Sequence, residues 1–136
     1  MTYTVSREPY TLDIHGLQVL CLPGDAPLPD NPRNHYWVAR AKDGEAVAFV
    51  ILYRYQDCWY LSRAGTLERH SGKHLYPRLL RAAFRHIRKT KTRNVITDCS
   101  NWNTRSANGL IRAGFRLYTP ARKWGFEDGL YWTLDL

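Results

Sequence analysis

The residues best placed by type to do chemistry lie in one short stretch, Glu68-Arg69-His70-Ser71-Gly72-Lys73-His74. It joins a strand-like run to the strongest helical pattern in the chain. A helix N-terminus offers unpaired N–H groups and a partial positive charge, so this junction is a natural seat for phosphate. Two common phosphate loops do not fit it. A P-loop needs glycine where Leu67 stands and serine or threonine where His74 stands, and the GxGxxG of dinucleotide-binding folds occurs nowhere in the chain. His70 and His74 are four apart and, with Glu68, imitate a metal cluster. Gly72 falls between them, however, and no further ligand is evident, so loop histidines are the simpler reading and no metal is expected. Cys99 is a conceivable acyl-carrying nucleophile, but a thiol on a buried strand is more simply a small hydrophobe.

The elements that must hold this stretch follow from periodicity. Tyr3–Arg7 reads as a short strand, and Thr11–Leu20 spaces Leu12, Ile14, Leu17, Val19 and Leu20 loosely as a helix around Gly16. Leu22–Asn34, rich in Pro, Gly and Asp, reads as a long loop. His35–Ala41 and Glu45–Tyr55 form a strand pair about the turn Lys42-Asp43-Gly44, and Cys58–Leu67 follows as a third strand with Trp59 and Leu61 on one face. Leu75, Leu79, Leu80, Ala83, Phe84 and Ile87 then make a 3.6-period stripe, with Pro77 tolerated in the first turn. Asn94–Cys99 is a buried strand, and a helix from Thr104 to Ala113 is stopped by Gly114. Phe115–Thr119 and Leu130–Leu136 end the chain as strands around a loop holding Trp124-Gly125. Trp37, Trp59 and Trp132, inside strands, belong to the core. The order β-α-β-β-β-α-β-α-β-β is an α+β sheet with helices over its faces.

Composition bounds the rest. The 136 residues, 44% apolar and 24% charged, are one domain's worth of chain, taken as a single domain over 1–136. Three widely spaced cysteines without a CxxC indicate neither a disulfide framework nor a zinc ribbon. The N-terminal residues lack a signal-peptide core, and the longest apolar run, Ala46–Leu52, is too short to span a bilayer, so a cytoplasmic protein with no membrane partner is expected. The net charge is +8, and it is local: nine Lys and Arg and no acid lie between Arg69 and Arg93, while the remainder holds eleven basic and twelve acidic residues.

Two motifs carry a family resemblance. Ser71-Gly72-Lys73-His74-Leu75-Tyr76-Pro77-Arg78-Leu79-Leu80 resembles the Arg-Gly-x-Gly-x-Gly/Ala…Leu-Leu run of the GCN5-related N-acetyltransferase (GNAT) superfamily. Downstream, the segment from Asn103 through Ser106 to Gly114-Phe115 resembles that family's Asn-x-x-Ser/Ala…Gly-Phe signature. In the first motif Ser71, His74 and Tyr76 depart from the family's residues. The resemblance implies a GNAT-like fold, a mixed sheet of six to seven strands flanked by about four helices, and acetyl-CoA as co-substrate.

It also implies roles. Ala64, Gly65 and Thr66 would bond the pantetheine arm, with a backbone N–H near Thr66 polarising the thioester carbonyl. Backbone N–H groups of Gly72, Lys73, His74, Leu75 and Tyr76 would face the pyrophosphate, and Asn103 and Ser106 would lie along the cofactor. Asp98, five residues before Asn103, stands where relatives that acetylate N-terminal amines carry a carboxylate base; a carboxylate capping the following turn is the other reading. Leu110 occupies the place of the usual tyrosine acid, with Tyr118, Tyr76 or solvent left to substitute. Trp124 and Tyr118 would line an acceptor pocket whose opposite wall is the Leu22–Asn34 loop.

The expected activity is therefore transfer of an acetyl group to a primary amine by direct attack in a ternary complex. The alternative is a degenerate, non-catalytic domain that binds nucleic acid or an acidic protein through the basic segment 69–93. The same charges also suit the phosphates of coenzyme A, or simply a solvated helix face.

Overall fold

The computed structural model describes residues 2–125 and 127–136. Seven strands form one sheet: β1 (Tyr3–Glu8), β2 (Asn34–Ala41), β3 (Ala46–Arg54), β4 (Trp59–Thr66), β5 (Asn94–Ser100), β6 (Arg116–Leu117) and β7 (Gly129–Asp135). Their spatial order is β1-β2-β3-β4-β5-β7-β6, and every neighbouring pair is antiparallel except β4 with β5. Three α-helices, α1 (Leu12–Cys21), α2 (Leu75–Ile87) and α3 (Thr104–Arg112), accompany the sheet, with a 3-10 turn at Glu68–His70, where the resemblance implied about four helices.

The β2–β3 hairpin turns at Gly44, whose φ of 91° is open to glycine and costly for other residues. β3 is buried from Val47 to Leu52 because it is covered on both sides, by α1 and by α2. Such a strand reads as a continuous apolar run rather than an alternating one. On α2, all six residues of the expected stripe are buried. The five larger ones, all but Ala83, contribute roughly 1.5–3 kcal/mol each, which locks the helix onto the sheet.

α1 differs from its expected stripe. Ile14, Leu17 and Gln18 are buried, while Leu12 and Leu20 are exposed. Positions 14, 17, 18 and 21 share one face of a 3.6-residue helix; 12, 19 and 20 do not. Gln18 survives burial because its Oε1 accepts from the Leu28 N–H (2.9 Å) and from Arg63 Nη1 (3.0 Å). Arg63 also donates to the Ala26 carbonyl at 2.7 Å. The long loop after α1 is thus tied to β4, the strand that borders the site.

Candidate active site

β4 and β5 start as neighbours and then part. Their ladder has two rungs, Trp59 with Val95 and Tyr60 with Ile96, and Thr97 Oγ1 adds a bond to the Leu61 carbonyl at 2.7 Å. Just past that point β4 bulges. Leu61 pairs with Leu52 and Arg63 with Ile51, so Ser62 is an extra residue, its Oγ donating to the Ile51 carbonyl at 3.1 Å. A bulge bends and twists its strand, which turns β4 from β5 and opens a wedge in the middle of the sheet. Ala64, Gly65 and Thr66 pair with Val50, Phe49 and Ala48 of β3, and their other edge borders the wedge. Gly65 is also fixed by packing: a Cβ there would lie 2.6 Å from Cys21 Cβ and 2.9 Å from Phe49 Cε1.

At the mouth of the wedge stands the loop before α2. Ser71 folds back on Glu68, its Oγ donating to the Glu68 carbonyl at 2.7 Å. Gly72 has φ +75° with open space where a Cβ would be, and His74 takes a left-handed conformation, φ 57°. α2 begins without a side-chain cap and without an acid in its first turn. Its leading N–H groups are therefore free for an anion, Pro77 having none to offer. Lys73 and His74 are exposed beside it. His70 turns the other way, buried, with Nδ1 2.9 Å from Tyr3 Oη and Nε2 3.8 Å from Glu45 Oε1. The two loop histidines thus diverge, and no group of three or more metal-ligating side chains converges among the described residues.

Asp98 lies on β5 beyond the last rung shared with β4. Tyr60 Oη donates to its Oδ1 at 3.0 Å. A Cβ on Gly125 would come within 2.4 Å of Oδ2, so the loop before β7 approaches this carboxylate as only glycine allows. The Gly125 N–H donates to Tyr131 Oη at 3.1 Å. Trp124 lies over the cluster, its ring 5.3 Å from that of Tyr60 and 4.9 Å from that of Tyr131, its Nε1 donating to Tyr118 Oη at 3.3 Å. Burial, then the Asp98 charge, push the Tyr60 phenol well above its ordinary range, so it stays a proton donor to the carboxylate. Asp98, Trp124 and Tyr118 are therefore brought together, and the Leu22–Asn34 loop is anchored to β4 through Arg63.

The Acetyltransferase (GNAT) family profile matches residues 6–115, most of the chain. The chain belongs to the GNAT acetyltransferase family. Among solved structures, the ribosomal-protein-S18-alanine N-acetyltransferase of Escherichia coli superposes with a TM-score of 0.80 at 16% identity, over 98% of this chain and 94% of that one. A Bacillus subtilis acetyltransferase in complex with CoA gives 0.76 at 17% identity over 99% of both chains. A GNAT acetyltransferase of Elizabethkingia anophelis with acetyl-CoA bound gives 0.73 at 14%, over 97% of this chain and 98% of that one. At these identities the likeness is one of fold. None of the curated proteins matches the chain.

In this GNAT chain the signature asparagine has a local task. Asn103 Oδ1 accepts the Ser106 N–H at 3.1 Å and caps α3. Leu110 is 2% exposed, part of the hydrophobic core. Cys99 is likewise buried, with Trp132 Nε1 donating to its Sγ at 3.4 Å. Four residues of the site had gone unnoticed in the sequence. Gln18 was legible as the one polar residue on the buried face of α1, and Tyr60 as the residue alternating with Trp59 and Leu61. Gly125 and Tyr131 meet Asp98 through loop geometry and strand register, which leave no local signal.

Proposed function

We propose that this chain, acting as a single domain over 1–136 in the cytoplasm, is an N-acetyltransferase that uses acetyl-CoA to acetylate a primary amine. The observation that carries this reading is the wedge between β4 and β5, with the uncapped, acid-free start of α2 at its mouth and the Asp98 carboxylate beside it. The residues present fit coenzyme A. N–H groups from Gly72 to Tyr76 would take the pyrophosphate, and glycine at 72 leaves room for close approach. The open edge of Ala64, Gly65 and Thr66 would bond the pantetheine amides as an added strand would, an N–H near Thr66 polarising the acetyl carbonyl. Asn103 and Ser106, at the start of α3, would flank the cofactor.

Asp98 would receive the amine's proton. Because Oδ1 is held by Tyr60 and Oδ2 lies against Gly125, the proton would reach it through a bridging water. Trp124 and Tyr118 would border the acceptor. A protein N-terminus, a lysine, an aminoacyl group on RNA and a small amine all present the nucleophile this chemistry needs. Asp98→Asn is the test. With an accepted amine, kcat should fall by about 10²–10⁴-fold while acetyl-CoA binding is kept. Unchanged turnover would remove Asp98 from the base's role and leave it as the tie that holds Tyr60 and the 124–125 loop.

A second reading, binding of a polyanion such as RNA or an acidic protein, is favoured by one feature of α2 and the turn that follows it. Arg81, Arg85, Arg88, Lys89 and Lys91 are exposed and, among the described residues, form no ion pair. Arg69, by contrast, is paired with Glu45, and Arg78 donates to the Tyr3 carbonyl at 3.1 Å. Salt-dependent retention of RNA that is lost on reversing the charge of Arg81, Arg85 and Arg88 would support this reading, and retention unaffected by the reversal would end it.

A further inference from the structure

The end of the sheet opposite the wedge gathers three arginines around one histidine. Directly paired residues of neighbouring strands share a face, so the register sets Arg7 of β1 beside Trp37 of β2 and Arg54 of β3 beside Trp59 of β4. His35 of β2 joins them. Its ring lies 4.8 Å from that of Trp59, and the rings of His35, Trp37 and Trp59 all meet His86 near the end of α2. The Arg54 guanidinium stands 5.5 Å over the Trp59 ring, and Arg7 Nη2 donates to His35 Nδ1 at 2.6 Å. Arginine only donates, so Nδ1 is the acceptor and the proton of the neutral ring sits on Nε2. Arg33, just before β2, is drawn in by a bond from its Nη1 to the Arg54 carbonyl at 3.4 Å. Arg33, His35 and Arg54, with Pro32, Tyr55 and Gln56, line an open hollow of about 450 Å³, and an adjoining hollow that shares His35 reaches Arg7.

These cations lack a counter-charge. Arg7, Arg33 and Arg54 are exposed and, among the described residues, form no ion pair. The acids beside the two hollows are engaged elsewhere. Both oxygens of Glu8 accept from Arg40, Asp30 accepts from Tyr36 Oη at 3.3 Å, and the charge of Asp57 bears on the Cys58 thiol. The last carbonyls of α2, another natural partner for cations, are taken by the N–H groups of Arg88, Lys89 and Thr90 and by the Thr90 hydroxyl. Burial, then the charges of Arg7, His86 and Arg54, hold the His35 ring neutral at working pH. Like charges gathered around one half-buried ring repel one another, and a bound anion would relieve that repulsion. A carboxylate is matched by a single guanidinium fork. Three forks carried by separate elements suit the greater number of oxygens and the higher charge of a phosphate group.

We propose that this hollow binds the phosphate group of a phosphate ester, at a site separate from the acetyl-CoA seat. α2, thirteen residues or about 20 Å long, runs between the two, and the hollow lies at the closed end of the β4–β5 ladder. No bond is made or broken there. The site recognises phosphate by charge and guanidinium geometry, and the exposed Tyr55 offers a ring on which the rest of the ester can lie. The inference does not depend on the acetyltransferase reading.

The test follows the imidazole signals of the protein by NMR at pH 7 as sodium phosphate is added. Sodium chloride of equal ionic strength is the control, and His35→Gln assigns the His35 signals. Phosphate should shift them to saturation, and chloride should not. His74, read in the same spectra, reports the start of α2 and so tells the two places apart. Arg7→Gln and Arg54→Gln should each weaken the phosphate response of His35 by about tenfold, with thermal unfolding little changed. A nucleoside 5′-monophosphate and a single-stranded RNA, added the same way, distinguish the source, and at least one should bind more tightly than inorganic phosphate. A His35 response equal in phosphate and chloride, a phosphate response confined to His74, or one untouched by both arginine substitutions overturns the proposal. So does tighter binding of inorganic phosphate than of either ester, which would leave a site for the free ion alone.

Discussion

His74 holds a left-handed backbone, a conformation that costs a non-glycine residue roughly 1 kcal/mol or more, at the point where the loop turns into α2. Its φ of 57° is a conformation that glycine adopts freely. Relief of this strain competes with the greater freedom glycine gives the unfolded chain. His74→Gly should therefore keep or raise stability, by up to about 1 kcal/mol in urea unfolding, whereas Gly72→Ala should lower it by about the same amount. A large loss in His74→Gly would mean that the imidazole makes a contact outweighing its backbone strain. Of the site's residues, Gly72 and Asp98 are named by their places relative to the two motifs that carry the family resemblance. Gly125 and Tyr131 are not, because they reach Asp98 through a loop closure and strand pairing that no local pattern encodes.

At the level of elements, the wedge depends on where β4 may bend and how closely α1 may approach it. Gly65→Ala would drive a methyl against Cys21 and Phe49, and since both belong to packed elements we expect a loss of about 1–3 kcal/mol, read by thermal or urea unfolding. α3 depends on its cap: Asn103→Ala should cost about 1 kcal/mol. If it weakens CoA binding by far more than it weakens the fold, Asn103 also contacts the cofactor. Periodicity located α2 and its six buried residues well, since a strong 3.6 repeat survives any tertiary context. It misread α1, where exposed Leu12 and Leu20 counted toward a stripe and the buried Gln18 did not. The missing information was a partner, Arg63, forty-five residues away. β6 is likewise shorter than the Phe115–Thr119 run suggested, covering Arg116 and Leu117, with the Tyr118 N–H adding one further bond to the Tyr131 carbonyl at 2.9 Å.

For the whole molecule, charge sets two expectations. His35 accepts from Arg7 Nη2 at 2.6 Å and lies beside His86 and Trp59; burial, then Arg7, His86 and Arg54, hold its pKa down to about 4. Between about pH 6.5 and pH 4 the unfolded chain binds a proton that the native ring refuses. Native stability should thus fall as pH is lowered through that window, by about 1 kcal/mol once solvent screening of a half-buried ring is counted. His35→Gln should flatten the slope, leaving the part due to His86, whose pKa is shifted the same way. Of the basic residues that make up the excess, Lys73 is exposed beside the proposed phosphate seat at the positive start of α2, so acetyl-CoA affinity should decline with added salt. No helix among the described residues is long and apolar enough to cross a membrane.

The central claim, that the wedge and the start of α2 hold acetyl-CoA, is tested most directly by calorimetric titration of the wild-type protein with acetyl-CoA and, in parallel, with acetyl-pantetheine. We expect one molecule bound per chain, affinity falling with salt, and far weaker binding of acetyl-pantetheine, which lacks the phosphates. No binding of acetyl-CoA, or equal binding of both ligands, would contradict it.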